Sequence, residues 1–136
     1  MSRRNAREST MKLLYQMEIH SDFSNNIIDV FFENNKFSLG EKEYIEDAMY
    51  TIIDNLKSID MNIKDNIKGW EIYRLAKIDL CILRIAIYEI IYREDIPVEV
   101  SINEAIEVAK TYSTDVSSKF INGVLGGFVR RKNKND

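Results

Sequence analysis

A chain of 136 residues with 45% hydrophobic and 30% charged side chains has the length of one small globular unit and enough apolar content for a core. One proline and five glycines leave little turn chemistry for hairpins or a β-sandwich, so helix is favoured. The single cysteine, Cys81, excludes an internal disulfide framework and any zinc site built from several thiolates. The net charge of −3 hides an uneven distribution: Arg3, Arg4, Arg7 and Lys12 outweigh Glu8 by +3, and Arg130, Arg131, Lys132 and Lys134 outweigh Asp136 by +3, which leaves −9 between them. An acidic body with basic ends suits a polyanionic partner at those ends, although basic tails are also common without one.

Taken in chain order, a first helix is expected from near Ser2 or Asn5 to near Ser21. Ala6, Thr10, Leu13, Leu14 and Met17 recur at helical spacing on its inner side. Arg4, Glu8 and Tyr15 lie on the opposite side, flanked by Arg7 and Lys12. A short amphipathic helix over 26–34 uses Ile27, Val30 and Phe31. A longer one runs from about Gly40 to Ser58, with a second piece to about Ile67, on a stripe of Tyr44, Ile45, Ala48, Met49, Ile52, Ile53 and Leu56. Gly69 breaks the pattern, and Trp70 to Leu75 reads as a brief helical turn or a short helix.

From Ala76 to Arg93 the chain is apolar on nearly every side, which marks a central buried helix. Its charges Asp79, Arg84 and Glu89 interrupt the apolar run, so no membrane-spanning stretch exists there. The N-terminus has no apolar leader behind its basic residues, so a cytoplasmic location is expected. Pro97 marks a loop. Ser101 and Glu104 fit a capping box at the start of the next helix, which reaches Tyr112. After a turn at 113–115, the last helix turns Phe120, Ile121, Val124, Leu125 and Phe128 inward, with Lys132 and Lys134 in a tail too polar to pack. About seven helices and no strand result: an all-α fold.

Catalytic chemistry has no foothold in this pattern. His20 is the only histidine and has no nucleophile nearby in sequence. Gly123 to Gly127 lacks the Lys-Ser/Thr ending of a phosphate loop, and no carboxylate spacing matches a calcium loop. Neither a cofactor nor a metal is implied, and the chain is read as a non-enzyme. Binding has a better signal. Three arginines crowd a helix start, where the helix dipole disfavours fixed cations and attracts anions, and guanidinium groups fork onto phosphates. Tyr15 lies eleven residues past Arg4 on the same face. It offers either a stacking surface for a base or ordinary edge packing.

Several ordered blocks resemble the NusB family over essentially the whole chain. They are Arg3-Arg4-x-x-Arg7-Glu8 with Leu14-Tyr15-Gln16, Trp70 through Leu75, Leu83-Arg84-Ile85-Ala86-Ile87-Tyr88-Glu89, Ile96-Pro97-Val98, Ile102 through Lys110, and Lys119-Phe120-Ile121-Asn122-Gly123-Val124-Leu125. The resemblance implies one bacterial NusB-like domain over 1–136, made of two packed helical subdomains, about 1–68 and 69–136, around the buried helix. It implies binding of the single-stranded boxA element of ribosomal RNA leader transcripts together with NusE, a small-subunit ribosomal protein, in a complex that makes RNA polymerase resist termination.

Position by position, the resemblance assigns Arg3, Arg4, Arg7 and Tyr15 to an RNA-contacting start. It assigns Tyr112, Lys119 and Phe120 to a second RNA-contacting stretch, and Tyr73, Arg74 and Asp79 to the NusE interface. Phe120 shares a face with Val124 and Phe128, so core packing competes with base stacking there. Arg84 and Glu89, with Asn103 and Glu104, read as a buried polar network that fixes helix register. Two other readings stay open. One is an accessory module like that of some ribosomal RNA cytosine methyltransferases, whose cofactor domain 136 residues leave no room for. The other is a helical dimerisation module without RNA specificity, which would act as a homodimer.

Overall fold

The computed structural model describes residues 3–135. Seven α-helices follow in order: α1 (Arg3–His20), α2 (Asn25–Asn34), α3 (Leu39–Asp54), α4 (Leu56–Lys64), α5 (Lys77–Tyr92), α6 (Val98–Tyr112) and α7 (Asp115–Asn135). A single 3-10 turn, Ile72–Arg74, precedes α5, and no strand occurs among the described residues. A start of the first helix at Ser2 lies outside those residues.

The helix ends follow local chemistry. α1 stops at Ser21, which takes a left-handed conformation (φ 52°). The Ser21 amide then donates to the Glu18 carbonyl and the Asp22 amide to the Met17 carbonyl, closing the helix with paired backward bonds. α3 begins with a reciprocal capping box: the Glu41 amide donates to Ser38 Oγ at 3.3 Å, and the Ser38 amide donates to Glu41 Oε1 at 3.0 Å. Gly69, at φ 74°, supplies the left-handed turn that redirects the chain from α4 toward α5.

The box expected at Ser101 and Glu104 is not one. α6 starts three residues earlier, at Val98, directly after Pro97, whose fixed φ of −59° leads into the helix. Ser101 and Glu104 therefore sit inside α6 and spend their side chains on other helices. The tail expected beyond Phe128 is likewise helical, because α7 continues through Asn135 and carries Lys132 and Lys134.

α5 is the axis of the fold and packs against α1, α3, α4, α6 and α7. Residues 79–89 are all buried. The three buried charges on α5, Asp79, Arg84 and Glu89, recur every five residues, and five steps rotate a helix by about 140°, so they point at three different neighbours. Asp79 accepts from Ser113 Oγ (2.9 Å) and Ser117 Oγ (2.8 Å) at the α6–α7 turn. Arg84 forks onto Asp60 of α4 with two 2.8 Å bonds and reaches Glu18 of α1 at 2.7 Å. Glu89 meets α1, α3 and α6. The single network expected from Arg84, Glu89, Asn103 and Glu104 is thus two separate ones, and Asn103 faces solvent. Among the described residues no buried side-chain nitrogen or oxygen lacks a hydrogen-bond partner. The buried apolar side chains of both halves form one continuous core.

Candidate nucleic-acid interface

The buried stripe Ala6, Thr10, Leu13, Leu14 and Met17 docks α1 against α3 and α5. Arg4, Lys12 and Tyr15 are thereby exposed on the opposite side, with Glu8 half-buried between them. That outer face lies beside α6. Arg4 Nε donates to Glu104 Oε1 at 3.1 Å, and its other nitrogen pairs with Oε2 of the same carboxylate. Lys12 Nζ sits 5.2 Å from the Tyr112 ring centre, and the Tyr112 hydroxyl donates to Glu8 at 3.2 Å. Two cations, two carboxylates and the Tyr112 ring are gathered here, with Tyr15 exposed further along α1. Hydrogen bonding to Arg4, and then the charge of Arg4 and Arg7, hold the Glu104 carboxyl below its usual range.

The three N-terminal arginines go three ways. Arg3 is exposed and leans over the Tyr44 ring of α3, 5.2 Å from its centre. Arg4 is exposed beside α6. Arg7 turns inward and is 6% exposed. Its Nε and Nη2 donate to Glu89 at 2.6 and 3.0 Å, and its Nη1 to Glu104 at 3.1 Å. Glu89 also accepts from the Tyr44 hydroxyl and from Ser101 Oγ at 2.8 Å. Burial opposes the charge on Arg7, but its hydrogen bond and attraction to Glu89 outweigh that and raise its pKa. Burial, reinforced by Glu89, likewise lifts the Tyr44 hydroxyl well above its ordinary value. Arg7, expected at the RNA surface, thus has its guanidinium turned inside the protein onto Glu89 and Glu104.

The second group of expected residues divides. Lys119 is exposed on α7. Phe120 is half-buried and lines a surface depression with Trp70, Arg74, Asp79, Val116 and Ser117. The fold therefore brings Phe120 to Arg74 and Asp79, not to Tyr15. Arg74 lies 5.4 Å from the Trp70 ring centre, while Tyr73 projects 73% exposed and Val116 77% exposed. Asp79 is 6% exposed and both its oxygens are occupied by serines, so it shapes this depression from below. Lys12, Trp70 and Val116 belong to these surfaces without having been singled out as contacts. Lys12 and Trp70 had a signal in sequence, as a charge flanking the arginine face and as a tryptophan beside a helix-breaking glycine. Val116 had none.

Among the described residues the protein is all-helical, with exposed cations and aromatic rings on its outer faces. A sequence model described as the NusB family matches residues 4–130. The chain belongs to the NusB family. It is 46% identical over 132 residues to the transcription antitermination protein NusB of Acetivibrio thermocellus, covering 97% of this chain and 91% of that one. It is 45% identical to that of Clostridium novyi, covering 96% and 99%. Among solved structures, T. maritima NusB superposes with a TM-score of 0.87 at 35% identity, over 96% of this chain and 92% of the other. A NusB chain crystallised with NusE and dsRNA shares the fold, with a TM-score of 0.84 at 22% identity, over 95% and 96% of the two chains. The family consists of transcription antitermination proteins and not of enzymes.

Proposed function

We propose that this protein acts in the cytoplasm as an RNA-binding antitermination factor, taking single-stranded boxA RNA together with NusE and helping RNA polymerase resist termination. The observation that carries the reading is the outer face of α1, where Arg4, Lys12 and Tyr15 are exposed beside Tyr112. Cations neutralise phosphates and rings stack unpaired bases on such a surface without any bond being made or broken. Arg3 extends it at the helix start, and Lys119 lies across the α6–α7 turn. The relatives' name, transcription antitermination protein NusB, supports the same reading.

The depression around Trp70, Arg74 and Phe120, with Tyr73 beside it, is the surface we assign to NusE. It combines exposed aromatic rings with an arginine, the composition that anchors protein interfaces. Phe120 moves with it from the RNA group to the protein group. The test is a titration of boxA RNA against a scrambled sequence, with and without NusE. The reading expects boxA to bind more tightly than the scramble, more tightly still with NusE, and with affinity that falls with salt by roughly 0.7 log units per log unit for each neutralised phosphate. Equal, salt-flat binding of both RNAs overturns it.

A further inference from the structure

We infer that the groove between the end of α4 and the far half of α7 is a second RNA track, holding the sugar–phosphate backbone of nucleotides that flank the segment gripped at α1. The inference rests on the RNA-binding reading above for the identity of its ligand. Its residues are ones no part of that reading uses: Lys68, Arg130, Arg131 and Lys134, with Asn66 and Gly127 between the two walls.

Four features point to a polyanion. First, these four cations are exposed, and among the described residues none of them makes an ion pair and Asp65 is the one carboxylate lining the groove. At the N-terminus, by contrast, Arg4 and Arg7 are both tied to carboxylates. In an acidic body these cations form an open positive surface.

Second, the groove has a built floor. Asn66 is pinned by donating from Nδ2 to the Asn62 carbonyl at 2.8 Å, and its Oδ1 lies where a side chain at Gly127 would begin, 3.0 Å from an ideal Cβ. Glycine at 127 thus lets α7 approach α4, while Gly123 faces open space. Third, Lys119, Gly123, Gly127, Arg130 and Lys134 fall along one side of α7, at steps of three and four residues. That side runs about 22 Å and leads from Lys119 to the groove. Fourth, among the described residues none that lines this groove is aliphatic or aromatic; Ile91 and Phe128 line the depression that adjoins it at Asp65, Asn66 and Arg131. A protein partner needs such anchors, whereas phosphates need only guanidinium and ammonium groups. The commonplace role for such cations is to complement the carbonyl end of a helix. It does not account for Lys68, which is on no helix, nor for Arg130, more than a turn from the α7 terminus.

The groove lacks rings, so it should add affinity without sequence preference. Fluorescence anisotropy on the full chain tests this with a short single-stranded RNA and the same RNA extended at both ends by a homopolymer tract. The variants are R130Q/R131Q/K134Q, which keeps helix-forming side chains at exposed positions, and R4A. Extension is expected to tighten binding to the wild type and not to the triple variant. With three phosphate contacts, raising salt from about 50 to 200 mM should cost the wild type about 18-fold more affinity for the extended RNA than it costs the variant. R4A should weaken both RNAs and retain the gain on extension. An equal gain for wild type and triple variant overturns the inference and leaves the α1 reading standing. A triple-variant loss with R4A unchanged supports the groove and removes α1 from the site. Failure of the wild type to bind either RNA overturns both readings. If the triple variant loses affinity for polyglutamate but not for RNA, the groove takes an acidic protein and the inference is wrong.

Discussion

Replacing Arg7 by Met separates the two roles an N-terminal arginine can have. Methionine fills much of the same volume, so the perturbation is the loss of charge and of three hydrogen bonds. Glu89, 1% exposed, would keep only the Tyr44 and Ser101 donors and would be stranded without a countercharge. Removing one partner of a buried pair costs about 3–5 kcal/mol. With a urea slope of about 2 kcal/mol per M, the unfolding midpoint should fall by roughly 2 M. The assay is urea denaturation followed by circular dichroism, run alongside R7M/E89Q. In the double variant the amide oxygen accepts from one of the two hydroxyls, and the amide nitrogen donates to the oxygen of the other, so about half of the lost stability should return. Folded R7M should bind RNA as the wild type does. A midpoint shift below about 0.5 M, or a selective loss of RNA affinity at unchanged stability, refutes the assignment of Arg7 to the interior.

Ser38→Ala removes the hydroxyl that receives the Glu41 amide and should cost about 1 kcal/mol, with hydrogen exchange at that amide accelerated. The Cys81 thiol is fully buried, and burial above all pushes its pKa up to about 12. Native protein at neutral pH should therefore resist thiol reagents, reacting at the rate of unfolding and faster as denaturant is added. The Glu104 carboxyl is held low chiefly by its hydrogen bond from Arg4. A depressed carboxyl stabilises the fold fully above its unfolded pKa of about 4.3 and loses that contribution as pH falls through the folded value. Stability should drop below about pH 5, and E104Q should flatten that limb of the profile measured by urea titration at a series of pH values.

Helix positions were legible because 3.6-residue periodicity is a local property. The α1 stripe, the all-round apolar α5 and the break at Gly69 all lie where spacing alone puts them. Whatever depends on a distant partner was not legible. Arg7 sits at the edge of the α1 stripe, and only Glu89, 82 residues away, decides that it turns inward. Ser101 and Glu104 have the spacing of a capping box, but Pro97 starts the helix earlier and the arginines of α1 claim Glu104. The same pattern at Ser38 and Glu41 is a working cap because nothing upstream starts the helix before it. Arg84 and Glu89 are close in sequence and far apart in direction, since five residues turn a helix by about 140°. The candidate surfaces show the same division. Exposure of Arg4 and Tyr15 follows from periodicity, whereas the meeting of Phe120 with Trp70 and Arg74 depends on how α7 packs beside the 3-10 turn.

Glu104 stands between the structural and the binding arginines, and that position makes its substitution informative about function. Its carboxylate accepts from exposed Arg4 and buried Arg7 at once. A phosphate arriving at α1 must compete with it for Arg4, and it also contributes like-charge repulsion to an incoming backbone. Glutamine at 104 keeps an oxygen for Arg7 Nη1 and removes the charge. If the outer face of α1 grips RNA, E104Q should bind RNA severalfold more tightly than the wild type while R4A binds more weakly, and R4A/E104Q should show little of the gain because the freed guanidinium is gone. Exposed pairs break readily in water, so the gain should come from the charge balance at the surface and shrink as salt screens it. Anisotropy titrations at two salt concentrations measure this. A lower affinity for E104Q, or a gain that survives in R4A/E104Q at high salt, would mean that the Arg4–Glu104 pair is part of the scaffold and that the RNA contact lies elsewhere.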